Sequence, residues 1–304
     1  MELTIRQGDQ ADYPLPVASA IGWQQHEDKW RTTVSLPDLP KAQIIVPSFS
    51  IPGADYSYRF TASVGNEPEV PLLRIPQGDM AKVSSKFLST HIDCWHTEKK
   101  CREVRIHLTV ADIDDSSLLS NALLVISTRP LSSNYTLPQG LDVHARPPIL
   151  AHSQMQAPAN ISKRICSPTA LAMATNEPWP LAIRGCYHRQ TNSFGCWPLA
   201  VYWAGQRNHL GAVETATNFD NAAIVLASGT PIVCSIRYGA GKLNGAPQSQ
   251  TGGHLVTLTG LADDQVEVFD PAAADHQSVR RTYKLEEFAE AWLRHRGAAY
   301  IFSA

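Results

Sequence analysis

Three residues carry the side chains that thiol catalysis requires: Cys166, His254 and Asp270. Such chemistry needs a nucleophile with a low pKa, a base within hydrogen-bond reach and a group that orients the base. The segment CSPTALAMATN predicts a helix from Cys166, because Pro168 suits a first turn and Leu171 begins an apolar face. A helix N-terminus favours a thiolate. The alternative is that Cys166 packs as a small hydrophobic residue.

The base and its partner flank a predicted β-hairpin. Two short apolar runs, Leu255–Thr259 and Val266–Phe269, are separated by a turn rich in Asp and Gly. The open ends of a hairpin meet, so we expect His254 and Asp270 to be neighbours, with the carboxylate fixing the imidazole tautomer. The pair Gly252–Gly253 leaves bare backbone where a substrate could approach closely. Alternatively, the histidine is an ordinary strand residue and Asp-Pro an ordinary strand end.

Length and composition limit the classes of function. A chain of 304 residues suggests about two domains. The net charge of −2 gives no reason to expect nucleic acid, and no window approaches the roughly 18 apolar residues of a membrane span. The polar N-terminus lacks the apolar region of a signal peptide, so we expect a cytoplasmic protein, with a non-classical export route left open.

The cysteine count favours free thiols over a disulfide framework. The six cysteines are sparse and irregularly spaced. Cys186 and Cys196 could form a bridge only in an oxidising compartment.

The chain divides near residue 145. Short strand-like runs predict a β-sandwich-like domain over residues 1–145, and Val104–Val110 alternates apolar and polar as a half-buried strand does. Residues 130–158 are typical of a linker. Residues 146–304 begin with helices and continue into a sheet. The predicted elements there are helices 166–176, Trp197–Leu210, Phe219–Ser228 and Leu285–Arg294, strands Pro231–Arg237, Val279–Tyr283 and Ala298–Phe302, and a loop over 177–196.

Two motifs suggest cofactors but fail on spacing. His91, Cys94, His96 and Cys101 are residue types that suit zinc, yet their spacing matches no common finger or ribbon. The segment GAGKLNG lacks the first glycine and the hydroxyl residue of a phosphate loop. We therefore expect neither a metal nor a cofactor.

Residues of about 150–304 resemble the bacteriocin-processing-type, C39-like cysteine peptidases of the papain-like clan. The resemblance rests on many ordered matches rather than on any single motif. These are Ser153-Gln154, Cys166-Ser167-Pro168-Thr169, Trp197-Pro198, Ala200, Ala204, Gly229-x-Pro231-Ile232-Val233, Thr251-Gly252-Gly253-His254, Asp270-Pro271, Phe288 and Ala291-Trp292. It implies a bacterial protein with a papain-like peptidase domain over residues 146–304. Together with the β-sandwich-like domain predicted from the strand pattern of residues 1–145, this gives an α+β fold.

The resemblance also implies a role for each site residue. Cys166 would be the nucleophile, His254 the general base and then acid, and Asp270 the residue that orients His254. Gln154 resembles the family's oxyanion-hole glutamine, acting with the backbone N–H of Cys166. Twelve positions separate Gln154 from Cys166, more than papain-like enzymes usually have, so an insertion at 157–164 must loop out and Gln156 is a competitor.

The function that follows is a cysteine peptidase. It would hydrolyse a peptide or isopeptide bond of a peptide or protein substrate through an acyl-thioester on Cys166. The same triad could instead perform amide transfer or deamidation, since only the acceptor differs. A third alternative is a non-enzymatic binding protein that uses the β-domain. Transporter-fused relatives carry membrane spans and an ATP-binding domain that this sequence does not contain, so leader-peptide cleavage is not carried over.

Overall fold

The computed structural model describes residues 3–7, 22–79, 83, 85–145 and 150–302, with only the backbone for 3–7. Most of the N-terminal segment interpreted above as lacking a signal peptide lies outside these residues. Part of the predicted linker, residues 146–149, also lies outside them.

The first half of the described chain forms two five-stranded antiparallel sheets. The strands are β1 Leu3–Gln7, β2 Gln24–His26, β3 Lys29–Leu36, β4 Gln43–Ser50, β5 Ser57–Val64, β6 Val70–Pro71, β7 Leu88–Thr90, β8 Trp95–Thr97, β9 Val104–Ala111 and β10 Leu123–Pro130. The first sheet has the order β1-β10-β4-β8-β7 and the second β2-β3-β9-β5-β6. Strand β9 buries alternate residues, as its pattern predicts.

The first sheet is buried on both faces. On one face, Phe49 and Ile126 share a hydrophobic cluster with Phe60 of the second sheet. On the other face, Ile44 and Val46 pack with residues of the second half of the chain. This double burial explains why every residue of β4 is buried, where a one-sided sheet would alternate.

The second half combines five helices with a seven-stranded antiparallel sheet. The helices are α1 Cys166–Thr175, α2 Trp179–Gly185, α3 Trp197–Gly205, α4 Asp220–Ala227 and α5 Leu285–Trp292. The strands are β11 Asp142–His144, β12 Gly211–Thr215, β13 Ile232–Tyr238, β14 Thr251–Ala262, β15 Gln265–Phe269, β16 Arg280–Lys284 and β17 Ala298–Phe302. Their order is β12-β17-β13-β14-β15-β16, and β11 pairs with β14.

Strand β12 is the seam between the halves. One side of β12 pairs with β17. On the other side, alternate backbone N–H groups donate to side chains of the first sheet: Val213 to Ser48 at 2.9 Å and Thr215 to Ser127 at 2.9 Å. Unpaired edge N–H groups are a liability, and these serines satisfy them, so the first sheet covers the edge of the second-half sheet.

The described residues form a mixed helix and sheet structure with antiparallel sheets, which agrees with the predicted α+β class. The division at residue 145 and the sandwich and papain-like arrangements stay predictions. Strand β11, from within the predicted linker, joins the second-half sheet.

Two local predictions in the second half are wrong. The predicted loop at 177–196 contains helix α2, whose Pro180 stands in the first turn, where a missing N–H costs no hydrogen bond. Strand β12 was not predicted, because five residues whose pairing depends on distant partners give little local signal. The first hairpin strand is also longer than expected: β14 begins at Thr251, so His254 lies within it.

Candidate active site

Cys166 is the first residue of helix α1. Residue Ile165 precedes the helix without a side-chain cap, so the first-turn N–H groups face the thiol region. Cys166 is half-buried, and the side chain of His254 and the backbone N–H groups of Leu255 and Ser167 lie close enough to its thiol to lower the thiol pKa. The helix is held against β14 because the Thr257 hydroxyl donates to the Ala170 carbonyl at 3.0 Å.

His254 is 1% exposed and lies opposite Ile236 of β13. Its Nε2 is 2.7 Å from Oδ1 of Asp270. The same carboxylate accepts from the Ala272 N–H at 2.9 Å and from the Tyr283 hydroxyl at 2.7 Å. Nε2 is thus occupied by the carboxylate, which leaves Nδ1 as the ring nitrogen for the thiol.

The environment favours a thiolate beside an imidazolium. Burial raises the pKa of Cys166, but the hydrogen bond and charge of His254 and the two backbone donors lower it below its usual value. Burial lowers the pKa of His254, but Asp270 and Cys166 outweigh burial and raise it to about 10. The pKa of Asp270 is raised by burial, yet His254, Tyr283 and the Ala272 N–H bring it below its usual value.

The structure places the backbone of Gln154 next to Asp270 and gives its side chain a partner outside the other three residues. Its backbone N–H donates to the Pro271 carbonyl at 2.8 Å, next to Asp270. Its Nε2 donates to the Ser162 carbonyl at 2.7 Å, within the predicted loop-out at 157–164. Nε2 carries two hydrogens, so one remains for another acceptor. The competitor Gln156 is exposed, and its amide donates to the Ala274 carbonyl at 2.7 Å.

Tyr283 is a supporting residue that the sequence interpretation missed. Its hydroxyl contacts Asp270 from β16, the strand after the hairpin. The available signal was its place in the predicted strand Val279–Tyr283, which a sheet would bring alongside β15. Behind Cys166, the hydroxyls of Ser167 and Tyr300 are 2.8 Å apart and join α1 to β17.

The four residues considered for zinc do not form a set of side chains that could bind one metal ion. The rings of His91 and His96 are 4.0 Å apart between centroids, and Cys94 Sγ is 3.8 Å from His96 Nε2. Cys101 instead pairs through its backbone with Leu39. In the part of the chain that the structure describes, no group of three or more His, Cys, Asp or Glu side chains is placed to hold a metal ion.

The remaining cysteines behave as buried thiols. All six cysteines are free, and all except Cys166 are buried. Burial raises the pKa of Cys186, Cys196 and Cys234 above the usual value. Cys166 therefore differs from the others in both its exposure and its pKa.

Residues 182–300 match the family model described as Peptidase_C39 like family. This match confirms the resemblance predicted from the sequence. It includes His254 and Asp270, and it begins after Cys166 and Gln154. It also supports a cysteine peptidase activity at the level of the family.

The other comparisons add no argument. No curated protein matches the sequence. A solved structure of CpGH89 from Clostridium perfringens, in complex with its substrate GlcNAc-alpha-1,4-galactose, matches with 12% identity and a TM-score of 0.19. The match covers 63% of this chain and 20% of that one. None of the helices among the described residues is long and apolar enough to cross a membrane.

Proposed function

We propose that the protein is a cysteine peptidase that hydrolyses a peptide or isopeptide bond through an acyl-thioester on Cys166. The observation that carries the proposal is the 2.7 Å contact between His254 Nε2 and Asp270 Oδ1, together with the lowering of the Cys166 thiol pKa by the same imidazole. The family match over residues 182–300 supports the same class of activity. A nucleophile, a base and a group that orients the base are the components that thiol catalysis requires.

The first half of the reaction forms the acyl-enzyme. The Cys166 thiolate attacks the carbonyl carbon of the scissile bond, forming a C–S bond and pushing an electron pair onto the carbonyl oxygen. His254, protonated at the start, then donates its proton to the amine nitrogen as the C–N bond breaks. Asp270 holds the imidazolium in orientation and stabilises its charge throughout.

The developing oxyanion needs hydrogen-bond donors. The backbone N–H of Cys166 belongs to the first turn of α1, where N–H groups have no acceptor within the helix. The remaining Nε2 hydrogen of Gln154 is the second donor in this proposal, with Ser162 holding the amide through the first hydrogen. Loss of one oxyanion-hole donor typically costs about 3–4 kcal/mol of barrier.

The second half of the reaction releases the product. His254, now neutral, takes a proton from water as the water oxygen attacks the thioester carbon. The C–S bond breaks, the acid leaves, and the proton on His254 restores the imidazolium–thiolate pair. If an amine replaces water as the acceptor, the same steps give amide transfer.

Site-resolved alkylation tests this proposal without knowledge of the substrate. The native chain is treated with limiting iodoacetamide at about pH 6, where an ordinary thiol is well under ~1% thiolate. Label is then located by digestion and mass spectrometry. We expect selective labelling of Cys166, with the five buried cysteines as internal controls.

Two variants test whether His254 causes the selective labelling of Cys166. His254→Ala should abolish selective labelling, because it removes the charge and the hydrogen bond that lower the thiol pKa. His96→Ala, which alters the histidine beside Cys94, should leave labelling of Cys166 unchanged. Slow labelling spread over several cysteines in the wild-type chain would contradict the proposal and favour a binding protein.

A further inference from the structure

A groove of about 550 Å³ lies next to the base along the sheet. Arg237, Thr251, Gly252 and His295 form part of its wall, and none of the described residues that line it is acidic. Thr251 pairs with Tyr238 across the same two strands in which His254 pairs with Ile236. The groove therefore adjoins the candidate site on the side of His254.

The backbone beside the groove is open. Gly252 and Gly253 are exposed, and a Cβ built on either would meet no atom within 4 Å. Packing therefore does not explain why both positions are glycine. Bare backbone two residues ahead of His254 allows an extended peptide to approach closely, which places a substrate side chain within reach of the groove.

The charge of the groove is positive. The side chain of Arg237 is exposed and makes no ion pair or hydrogen bond with any other residue that the structure describes. Glu290, an acid that acts on His295, is paired with Arg294 at 3.3 Å, and Asp270, which acts on Tyr238 of the groove, is paired with His254. Burial lowers the pKa of His295, and Arg237 lowers it further; Glu290 opposes these effects, and Arg294 and Arg296 add smaller lowering effects.

The loop that carries His295 is fixed in place. It ends at Gly297, which has a φ of +58°. A Cβ at this position would collide with the carbonyl oxygen of Ala216 and the guanidinium of Arg129. The Gly297 N–H also donates to the Trp292 carbonyl at 3.1 Å. The His295 side of the groove is thus held by packing across the seam between the two halves of the chain.

We propose that this groove is a carboxylate subsite, in which Arg237 binds an acidic group of the substrate close to the scissile bond. The acidic group is either an Asp or Glu side chain or the terminal carboxylate of the chain being cleaved, since both present the same planar anion to the guanidinium fork. The neutral His295 imidazole adds a hydrogen-bond donor. This inference rests on the proposed peptidase function.

Matched fluorogenic peptides test the subsite. Three versions of each peptide are compared: Glu near the scissile bond with an amidated C-terminus, Gln at that position with an amidated C-terminus, and Gln with a free C-terminal carboxylate near the scissile bond. The position of the substituted residue is varied on both sides of the bond. We expect kcat/KM to be about tenfold higher for a carboxylate version than for its neutral match, the size of a hydrogen bond to a charged group.

Variants assign the preference to the groove. Arg237→Gln should bring the preference to within about twofold, and Arg237→Lys should restore part of it because the charge is kept but the fork is lost. Lys284→Gln is the matched control: this exposed lysine, at the far end of the β15–β16 pair from Asp270, makes no ion pair with a described residue. It should leave the preference unchanged.

The outcomes separate the two proposals. Cleavage of acidic and neutral peptides at equal rates, with Cys166 still labelled selectively by iodoacetamide, would overturn the subsite alone. An acid preference that survives Arg237→Gln would overturn it as well. Failure of Cys166 to label would overturn the peptidase proposal itself. A preference for the free terminal carboxylate over internal Glu would identify the terminal group as the ligand.

Discussion

Two cysteine–histidine pairs lie in this molecule, and their surroundings drive them to opposite protonation states. The imidazole of His254 acts on the Cys166 thiol, and Cys94 Sγ lies 3.8 Å from His96 Nε2. The pKa of His254 is raised to about 10, whereas that of His96 is lowered to about 4. The thiol pKa is lowered at Cys166 and raised at Cys94.

The difference comes from the third groups around each pair. The pKa of His96 is lowered first by burial and then by the charges of His91 and Arg296, and only Glu98 raises it. Burial raises the pKa of Cys94, and the neighbouring Asp93 raises it further. At the other pair, the carboxylate lies behind the imidazole and not beside the thiol. A cysteine and a histidine in contact are therefore insufficient, and the position of the carboxylate decides whether the thiol ionises.

The largest expected contrast is in turnover. Cys166→Ala should lower kcat/KM on a cleaved peptide by on the order of 10⁴-fold or more, as loss of a nucleophile does. Cys94→Ala should stay within about twofold of wild type, because it removes a protonated, buried thiol. Thermal unfolding of both variants checks that they fold. Measurable peptidase activity in Cys166→Ala would remove that residue from the mechanism.

The carboxylate should matter less than the nucleophile but still strongly. Asp270→Asn keeps the shape of the side chain and removes the charge that stabilises the His254 imidazolium, so kcat should fall by roughly 10²–10⁴-fold. Asp93→Asn is the matched change at the other pair and should leave kcat near the wild-type value. The measurement is steady-state hydrolysis at fixed pH. Wild-type kinetics in Asp270→Asn would point to another orienting residue.

The dependence of stability on pH separates an ion pair from a neutral pair. The raised pKa of His254 contributes stability that is fully present below about pH 6.5 and lost as pH rises through about 10. The lowered pKa of Cys166 contributes stability present above the ordinary thiol pKa of about 8.5 and lost as pH falls through its folded value. At pH values where Cys166 is already ionised in the folded chain, these slopes cancel between about pH 6.5 and 8.5.

Above about pH 8.5 the His254 contribution to the free energy of unfolding should fall by about 1.4 kcal/mol per pH unit up to about pH 10. The five buried cysteines add a fall of their own in this range, because their raised pKa values keep them protonated in the folded chain while they ionise in the unfolded one. In denaturant unfolding, Asp270→Asn should therefore lose stability less steeply than the wild type, and Asp93→Asn as steeply. Equal slopes in the wild type and Asp270→Asn would mean that the His254–Cys166 pair is neutral in the folded state.

Contacts within a short hairpin can be predicted from the sequence. His254 and Asp270 are sixteen residues apart, and the two apolar runs between them fix which ends meet. Contacts set by distant strands leave no such local trace. Strand β12 was missed because the serines that satisfy its edge, such as Ser48, come from a sheet some 165 residues earlier. Helix α2 was missed because it has only seven residues, one of them Pro180, and so gives little helical signal.

The candidate site shows the same limit. Its nucleophile, base and carboxylate are local signals: a helix start and two strand positions. The resemblance to a known family added Gln154, but no local pattern indicates that its amide reaches the Ser162 carbonyl. Tyr283 likewise depends on the register of a third strand, which the sequence does not specify.

The smallest expected contrast concerns the hydrogen bond that Tyr283 donates to the Asp270 carboxylate. Tyr283→Phe removes the hydroxyl that donates to Asp270 Oδ2 at 2.7 Å, a bond to a charged group that should cost about 1.5–3 kcal/mol of unfolding free energy. Turnover should fall less than in Asp270→Asn, because His254 and the Ala272 N–H still hold Oδ1. Tyr300→Phe is the control: its hydroxyl meets the neutral Ser167 hydroxyl, so the cost should be about 0.5–1.5 kcal/mol. Equal costs in parallel denaturant titrations would mean that the Tyr283 hydroxyl contributes no more than a neutral hydrogen bond and that the Oδ1 partners of Asp270 stabilise its charge.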